Sequence, residues 1–399
     1  MTDYSRAEAA ERGGMTVEQL SRQVELRIIQ PGDGDRFTTS AVRRAELVQN
    51  MERAGISLEG IATALEQGTI NLDFVDAPVY ERFSILSDVT FRQLSDRTGV
   101  PIDLLTLIRE VGGAAPPDPD DRVREGELPV ADFVAAQVKA GFRPIAIERL
   151  LRVEGDSLRR IADTEADWWQ SEVLDPAIAA GKSPEAISAT DFSTELSMLA
   201  EGAVLALHHA HQTRAWTGNI IVSFEEMMKR AGLGSRLVRP PAVCFLDITG
   251  YTRLTQERGD QAAAELATNL TRVVERTSVR HGGRPVKWLG DGVMFLFPDP
   301  GPGVMAALEM AEGVTGAGLP PSHVGLHAGP VIFQAGDYYG QTVNVASRIA
   351  EYARPGEVLV TEAVVEASTG AEVDFRDIGP VELKGVGEAI HLHAASRSS

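Results

Sequence analysis

Hydrophobic and polar positions follow two different patterns along the chain. Over residues 15–230, apolar side chains recur three and four positions apart, as in Val42, Ala45 and Val48, which is the spacing of amphipathic helices. Over residues 242–394, short unbroken apolar runs alternate with glycine-containing turns, which is typical of buried strands. We therefore predict a helical N-terminal part and a C-terminal domain that combines helices and strands.

The change of pattern also predicts the domain boundaries. Residues 1–14 contain no apolar core, so we expect a flexible N-terminus. Residues 15–230 are predicted to form an all-helical domain with a helix-turn-helix-like start, a proline-rich connector at 116–121 and connecting helices at 191–230. Residues 240–395 are predicted to form the second domain.

The elements of the second domain predict its fold class. In chain order they are a strand (242–248), a helix (255–276), two strands that flank Gly290-Asp291-Gly292 (284–289 and 293–297), a helix (304–313) and a strand (323–328). A further helix (342–352) and two further strands (357–361 and 381–384) complete the predicted set. The order βαββαβ indicates an α+β, ferredoxin-like sandwich.

Composition and charge narrow the range of partners. The chain has 38 Lys and Arg against 57 Asp and Glu, a formal net charge of −19, which disfavours a protein that coats nucleic acid or an anionic membrane. The one cysteine, Cys244, excludes an internal disulfide. Because the chain shows no secretory signal and no apolar run of about 20 residues, we expect a soluble cytoplasmic protein that does not bind membranes.

Two aspartates are the first candidates for chemistry. Asp247 lies near the end of the apolar run AVCFLDI, and Asp291 lies in the predicted hairpin turn. An ionised carboxylate in an apolar setting requires a partner, and two of them at neighbouring strand ends would form an oxygen-ligand site of the kind Mg²⁺ prefers. The alternative is that Asp247 caps a helix and that Asp291 only suits a turn.

Five further polar positions accompany this pair. Asn344 and Arg348 lie four residues apart and therefore share one face of the predicted helix. Taken singly, Asn344 is compatible with a helix-start residue, Arg348 with a surface charge and Lys384 with a solvated strand end. The positions are Lys287, Asp337, Asn344, Arg348 and Lys384.

Together these motifs resemble the class III nucleotide cyclase domain. The stretches FLDITGYT, VKWLGDGVMF, DYYGQTVNVASRI and ELKGVG occur in the order and with the spacing of that family. The resemblance implies a role for each position. It implies metal ligation by Asp247, Asp291 and the Ile248 carbonyl, purine recognition by Lys287 and Asp337, transition-state contacts from Asn344 and Arg348, and a triphosphate contact from Lys384.

The resemblance also implies an activity, cofactors and an assembly. The activity is conversion of ATP to 3′,5′-cyclic AMP and pyrophosphate with two divalent metal ions per site, Mg²⁺ or Mn²⁺. ATP is favoured over GTP because Lys287 can donate to a purine ring nitrogen and Asp337 can accept from an exocyclic amine. In this family the metal ligands and the purine-binding residues of one site come from different protomers, so we expect a homodimer with two sites.

The N-terminal half resembles the helical regulatory domain of mycobacterial-type soluble adenylyl cyclases that are autoinhibited and pH-sensing. The similar stretches include VRRAELVQNMERAGISLEGI and TFRQLSDRTGVPIDLLTLIREVGGA. Three histidines in the connecting helices, His208, His209 and His211, are candidate pH sensors because histidine titrates near neutral pH. The alternative is that they are ordinary helix histidines.

Other functions remain compatible with the sequence. Residues 16–67 resemble a MerR-like DNA-binding unit. A chain with such a unit would be a transcription regulator with a cyclase-like sensor domain. The acidic segment Gly32-Asp33-Gly34-Asp35 and the net charge disfavour that reading, so we do not expect nucleic acid as a partner. A helical region that only dimerises, and a degenerate cyclase that binds nucleotide without turnover, are the remaining alternatives.

Overall fold

The computed structural model falls into two compact units, Met1–Asn219 and Ile220–Ser399. It describes residues 3–72, 75, 86–182, 191–233, 240–250, 260–368 and 372–398. The predicted start of a helix at residue 255 lies outside these residues. Within the described part of the chain, no helix is both long enough and apolar enough to cross a membrane.

The first unit is mainly helical. Its helices are α1 (Arg6–Arg12), α2 (Val17–Glu25), α3 (Thr39–Arg53), α4 (Leu58–Glu66), α5 (Phe91–Thr98), α6 (Ile102–Val111), α7 (Leu128–Lys139), α8 (Pro144–Trp169), α9 (Asp175–Ala179) and α10 (Asp191–Arg230), the last of which extends past residue 219. A 3₁₀ turn (Glu125–Glu127) precedes α7, and a π-helical segment (Gln170–Leu174) joins α8 to α9. Side-chain caps define several starts: Thr16 and Thr90, for example, each form a capping box with a glutamine three residues later.

Two apolar cores hold this unit together. One lies among α1 to α4 and includes the fully buried Leu20, Phe37 and Ile61. The other lies among α5 to α8 and includes Phe91 and Leu105. Burial of each such side chain stabilises the folded unit by about 1.5–3 kcal/mol. The helical region is therefore stabilised by cores of its own.

The first unit also contains short strands where the sequence predicts only helix or flexible chain. They are β1 (Asp3–Tyr4) paired with β2 (Phe37–Thr38), and β3 (Leu86–Thr90) paired with β4 (Arg122–Arg124). Residues 1–14, predicted to be flexible, contain β1 and α1. They take this structure because Ser5 and Glu8 form a capping box and because Ala9 is buried in the first core.

The second unit is built on a seven-stranded sheet of order β12-β13-β11-β8-β5-β7-β6. Its strands are β5 (Ala242–Ile248), β6 (Arg284–Leu289), β7 (Gly292–Phe297), β8 (Ser322–Ala328), β11 (Val358–Thr361), β12 (Val373–Val381) and β13 (Ile390–Arg397); β9 (Ile332–Gln334) and β10 (Asp337–Tyr339) form a separate hairpin. Its helices are α11 (Asp260–Arg280), α12 (Pro300–Gly316), α13 (Gln341–Tyr352) and α14 (Glu362–Ala367).

The central part of this sheet confirms the predicted fold class. The chain order β5-α11-β6-β7-α12-β8 is βαββαβ, and the four strands lie side by side in the order β8-β5-β7-β6, all antiparallel. The strand β11 adds parallel to β8 after the crossover through α13. The unit is therefore an α+β, ferredoxin-like domain with an extension of three strands.

Each face of the sheet has its own core. On one face, Leu246, Phe295 and Phe297 pack with α11, α12 and α14. On the other face, which we call the α13 face, Phe245 and Met294 pack with Tyr338 and with the buried side of α13. Successive residues of a strand alternate between the faces, so the α13 face also carries Asp247, two residues after Phe245.

Two segments differ from the predicted elements. The glycine-rich loop before α13 contains the hairpin β9–β10. Of the predicted strand at 381–384, only Val381 is in a strand, because the long strands β12 and β13 pair along Val373–Val381 and Ile390–Arg397. Lys384 consequently lies in the turn that joins them, next to Gly385, whose φ of 78° is in the left-handed region.

Candidate active site

The two candidate metal ligands lie where β5 and β7 pair. Asp247 is opposite Gly292 in the register, and Asp291 is the preceding residue in the turn between β6 and β7. Gly292 is suited to this position because a Cβ there would lie 3.1 Å from Asp247 Oδ1. The structure therefore brings Asp247 and Asp291 together, with the buried Ile248 directly after Asp247.

The two neighbouring carboxylates give this site an excess of negative charge, which favours a cation. Burial, and then the negative charge of Asp291, raise the pKa of the Asp247 carboxyl above its ordinary value. His323 opposes the shift: its Nε2 lies 3.4 Å from Asp247 Oδ2. A divalent cation would relieve the repulsion between the two carboxylates, so the residues present fit the metal site that the sequence predicts.

The two candidate purine-binding residues form an ion pair. Lys287 Nζ donates to Asp337 Oδ2 at 2.6 Å, and both side chains are largely shielded from solvent. Lys287 comes from β6 and is opposite Met294, so it lies on the α13 face. Asp337 begins β10, whose Tyr338 packs in the same core. Residues 50 positions apart thus present one donor and one acceptor side by side.

The helix α13 presents the other two candidates away from the sheet. Its buried side includes Val343 and Ala346, whereas Asn344 is exposed and Arg348 is half-exposed. In this single chain the Arg348 guanidinium donates to Glu351 at 2.6 Å. Gly325 makes the close packing of α13 on β8 possible, because a Cβ there would lie 2.2 Å from the backbone nitrogen of Ala350.

The candidate residues form two separate sets within one chain. Lys384 is exposed in the β12–β13 turn. Among the described residues, no hydrogen bond or ion pair joins either acidic ligand to the polar positions of the other set. Those positions are Lys287, Asp337, Asn344, Arg348 and Lys384.

Comparison with protein families matches both parts of the chain. Residues 33–197 match the family described as adenylate cyclase regulatory domain, and residues 321–394 match the adenylate and guanylate cyclase catalytic domain. The pH-sensitive adenylate cyclase MT1302 of Mycobacterium tuberculosis (strain CDC 1551 / Oshkosh) is 28% identical in an alignment of 385 positions, which covers 92% of this chain and 91% of that protein. The chain thus combines a cyclase catalytic domain of class III with an adenylate cyclase regulatory domain. The predicted family and the predicted enzyme class, a class III cyclase, are confirmed.

Other similar proteins carry the same name. An adenylate cyclase of Streptomyces coelicolor is 28% identical over 278 residues, 69% of this chain and 70% of that protein. Among solved structures, the adenylyl cyclase CyaB from P. aeruginosa is 22% identical and covers 40% of this cyclase and 94% of its own chain, with a TM-score of 0.37. Within the match to the catalytic domain lie Asp337, Asn344, Arg348 and Lys384; Asp247, Lys287 and Asp291 precede it.

The structure adds two neighbours of the site that sequence reasoning missed. His323 donates from Nδ1 to the Ala350 carbonyl at 2.7 Å and turns its other nitrogen towards Asp247. Glu351 holds the Arg348 guanidinium. The spacing of three residues between Arg348 and Glu351 is a signal that the sequence contains, whereas nothing in the sequence relates His323 to Asp247.

The three candidate pH sensors lie on α10 of the cyclase. His208, His209 and His211 are all exposed, and the rings of His208 and His209 are 6.0 Å apart between centroids. Loss of solvent raises the pKa of the Glu154 carboxyl on α8, and the nearby His208 lowers it. His208 on α10 therefore lies near an acidic side chain of α8.

Proposed function

We propose that this class III cyclase is an adenylate cyclase that converts ATP to 3′,5′-cyclic AMP and pyrophosphate. The observation that carries the proposal is the Lys287–Asp337 pair, one ammonium donor and one carboxylate acceptor 2.6 Å apart. Adenine offers a ring-nitrogen acceptor and an exocyclic amine donor to such a pair. Guanine offers a carbonyl oxygen and a protonated nitrogen at those positions, so both charged side chains would be mismatched.

Asp247, Asp291 and the Ile248 carbonyl are the residues that would hold divalent metal ions, with two ions, Mg²⁺ or Mn²⁺, per site. When bound, such ions acidify the 3′-hydroxyl nucleophile and neutralise charge on the triphosphate and the leaving pyrophosphate. The raised pKa of the Asp247 carboxyl supports this role, because it reflects burial and negative charge that is not compensated. Among the described residues, no lysine or arginine pairs with either carboxylate, so a metal ion would supply the missing positive charge.

The α13 residues act on the reacting phosphate in this proposal. The Arg348 guanidinium meets the negative charge that develops at the phosphorus in the transition state. Asn344, one helical turn earlier, positions the ribose and phosphate by hydrogen bonding. Arg348 must first leave Glu351, to which it is bonded in the single chain. Lys384 would contact the triphosphate from its exposed turn.

A homodimer would complete the site. Each chain has an acidic pair, Asp247 and Asp291, and a separate set of purine and transition-state residues. No hydrogen bond joins the two within the part of the chain that the structure describes. A two-fold dimer can place the acidic pair of one chain opposite the other set of its partner. Because such an interface is isologous, two equivalent sites result.

We further propose that residues 15–230 regulate residues 240–395, the catalytic domain, and that the regulation responds to pH. The match to an adenylate cyclase regulatory domain supports the first part. The similarity to a cyclase named as pH-sensitive, and the His208–Glu154 interaction on neighbouring helices, support the second. In this proposal the pH-responsive groups are His208, His209 and His211, which are all exposed on α10.

A product assay tests the proposed reaction. The full chain is incubated with ATP or GTP and Mg²⁺ or Mn²⁺, and cyclic products are separated and quantified. We expect cyclic AMP to dominate, Asp247→Asn to abolish its formation, and the matched change Asp374→Asn, on the exposed part of β12, to preserve it. Turnover of GTP at an equal or higher rate, or undiminished activity of Asp247→Asn, would refute the assignment.

The pH dependence needs its own variant. We expect the activity of the full chain to rise on mild acidification, and the rise to disappear when His208, His209 and His211 are all changed to Gln. His281→Gln is the control, since His281 pairs with Glu309 in the catalytic unit. An unchanged pH profile in the triple variant would contradict the proposal.

A further inference from the structure

A second group of metal-ligand side chains lies on the other face of the same sheet. His391 and His393 alternate on β13 with Leu392, which is buried in the core beside α13. Since side chains alternate along a strand, both imidazoles point to the opposite face. Glu362, the first residue of α14, approaches them from that side.

These three side chains converge closely. One ligand atom from each of Glu362, His391 and His393 lies within 4.8 Å of the others. His393 Nε2 is 2.6 Å from Glu362 Oε2, and the two imidazole rings are stacked with centroids 5.0 Å apart. Ligand atoms around a tetrahedral zinc ion are roughly 3.3 Å apart for bonds of about 2.0–2.1 Å, so only small side-chain adjustments are required.

A fourth residue orients the cluster. The His391 Nε2–H donates to Asp377 Oδ1 at 2.7 Å, and this hydrogen bond holds the pKa of the Asp377 carboxyl below its ordinary value. A carboxylate that accepts from a metal-binding imidazole is the usual support of such a ligand. Asp377 is opposite His393 in the β12–β13 register, so the strands themselves fix its place.

We propose that Glu362, His391 and His393 form a binding site for a divalent transition-metal ion, with Zn²⁺ as the best match, and that Asp377 positions His391. Two imidazoles and one carboxylate suit zinc and its first-row neighbours, whereas Mg²⁺ prefers oxygen ligands alone. The site therefore differs in chemistry from the all-oxygen site at Asp247 and Asp291. No step of the proposed cyclase reaction uses it.

The proposed site would act on stability. The ion would tie the start of α14 to β13, and Asp377 extends the link to β12. Residues of α14, β13 and β12 would thus be joined through one ion. Because the unfolded chain does not hold these residues together, metal binding would stabilise the fold. We expect the thermal unfolding temperature to rise when zinc is added, because a ligand that binds only the folded state stabilises it.

Zinc chloride alone, titrated calorimetrically into the full chain, tests the proposal. All proteins carry Asp247→Asn and Asp291→Asn, so that the candidate active site does not contribute. We expect one zinc ion per chain, binding lost in His391→Gln/His393→Gln, and affinity reduced roughly 10- to 100-fold in Asp377→Asn. The control is His281→Gln, because His281 also pairs with a glutamate, Glu309, but lies outside the cluster.

Two further measurements keep the outcome decisive. Thermal unfolding without zinc shows whether the double histidine variant is folded, and Glu362→Gln provides a milder change of a single ligand. A zinc-dependent rise in unfolding temperature that is lost in Glu362→Gln and kept in His281→Gln supports the proposal. Absence of binding, or equal binding in the folded double variant and its parent, overturns it.

Discussion

The crossing of α13 over β8 provides a test of how the site is positioned. Gly325 lies beneath α13, and a Cβ added there would be 2.2 Å from Ala350 N and 2.7 Å from Ala346 O. Ordinary contacts of a Cβ begin at 3.4 Å, so Gly325→Ala requires α13 to retreat by about 1.2 Å, the difference between 3.4 and 2.2 Å. Both opposing atoms are backbone, so no side-chain rotation can relieve the clash.

The expected loss of activity in Gly325→Ala depends on the residues that α13 contains. Asn344 and Arg348 move with the helix, and the Ala350 carbonyl, which accepts from His323, moves as well. A misplacement of about 1 Å can lower a rate about 100-fold, and overpacking of this kind costs about 1–3 kcal/mol of stability. We therefore expect kcat for cyclic AMP formation to fall about 100-fold in a protein that is still folded.

The assay compares Gly325→Ala with Gly316→Ala. Gly316 lies on α12 with no atom within 4 Å of an added Cβ, so alanine there should leave activity unchanged and, as a better helix former, slightly increase stability. Initial rates are measured at a temperature at which circular dichroism shows both variants to be folded. Wild-type kcat and unfolding temperature in Gly325→Ala would refute the reasoning.

Two further variants probe electrostatics. Asp247→Asn is expected to raise the unfolding temperature of the metal-free protein at neutral pH but not below about pH 4. Folding raises the pKa of this carboxyl, so its ionisation costs stability as the pH rises. A shift in unfolding temperature that does not depend on pH would argue against this. Glu127→Gln is expected to destabilise the helical unit by about 2 kcal/mol. The change removes the carboxylate that the partly buried Arg109 contacts at 2.8 and 2.9 Å. Urea unfolding followed by circular dichroism measures that change, and an unaltered transition would disagree with it.

The sequence was sufficient to predict the framework of the catalytic unit. Apolar runs without breaks gave β5 and β7, and the glycine pair around Asp291 gave the turn between β6 and β7. These elements depend on local patterns of burial and turn geometry. The adjacency of Asp247 and Asp291 followed from placing both at strand ends.

The features that could not be predicted from the sequence depend on packing between distant segments. The shared role of Lys287 and Asp337 in purine recognition was inferred from resemblance. Their direct contact at 2.6 Å forms only when β10 packs on the α13 face. The strands β12 and β13 were missed because polar residues dominate their exposed positions, so the apolar pattern is weak. His391 and His393 show an alternation that the sequence contains, but their meeting with Glu362 requires the sheet to form.

The most direct test of the central claim is complementation between two inactive variants. Asp247→Asn removes an acidic ligand, and Arg348→Ala removes the guanidinium of the other set. After exchange at equal concentrations, about half of the dimers are mixed and each has one intact site of two, so the account predicts about one quarter of wild-type cyclic AMP formation. Fluorescence energy transfer between labelled chains verifies exchange. A mixture that exchanges and stays inactive would contradict the shared site.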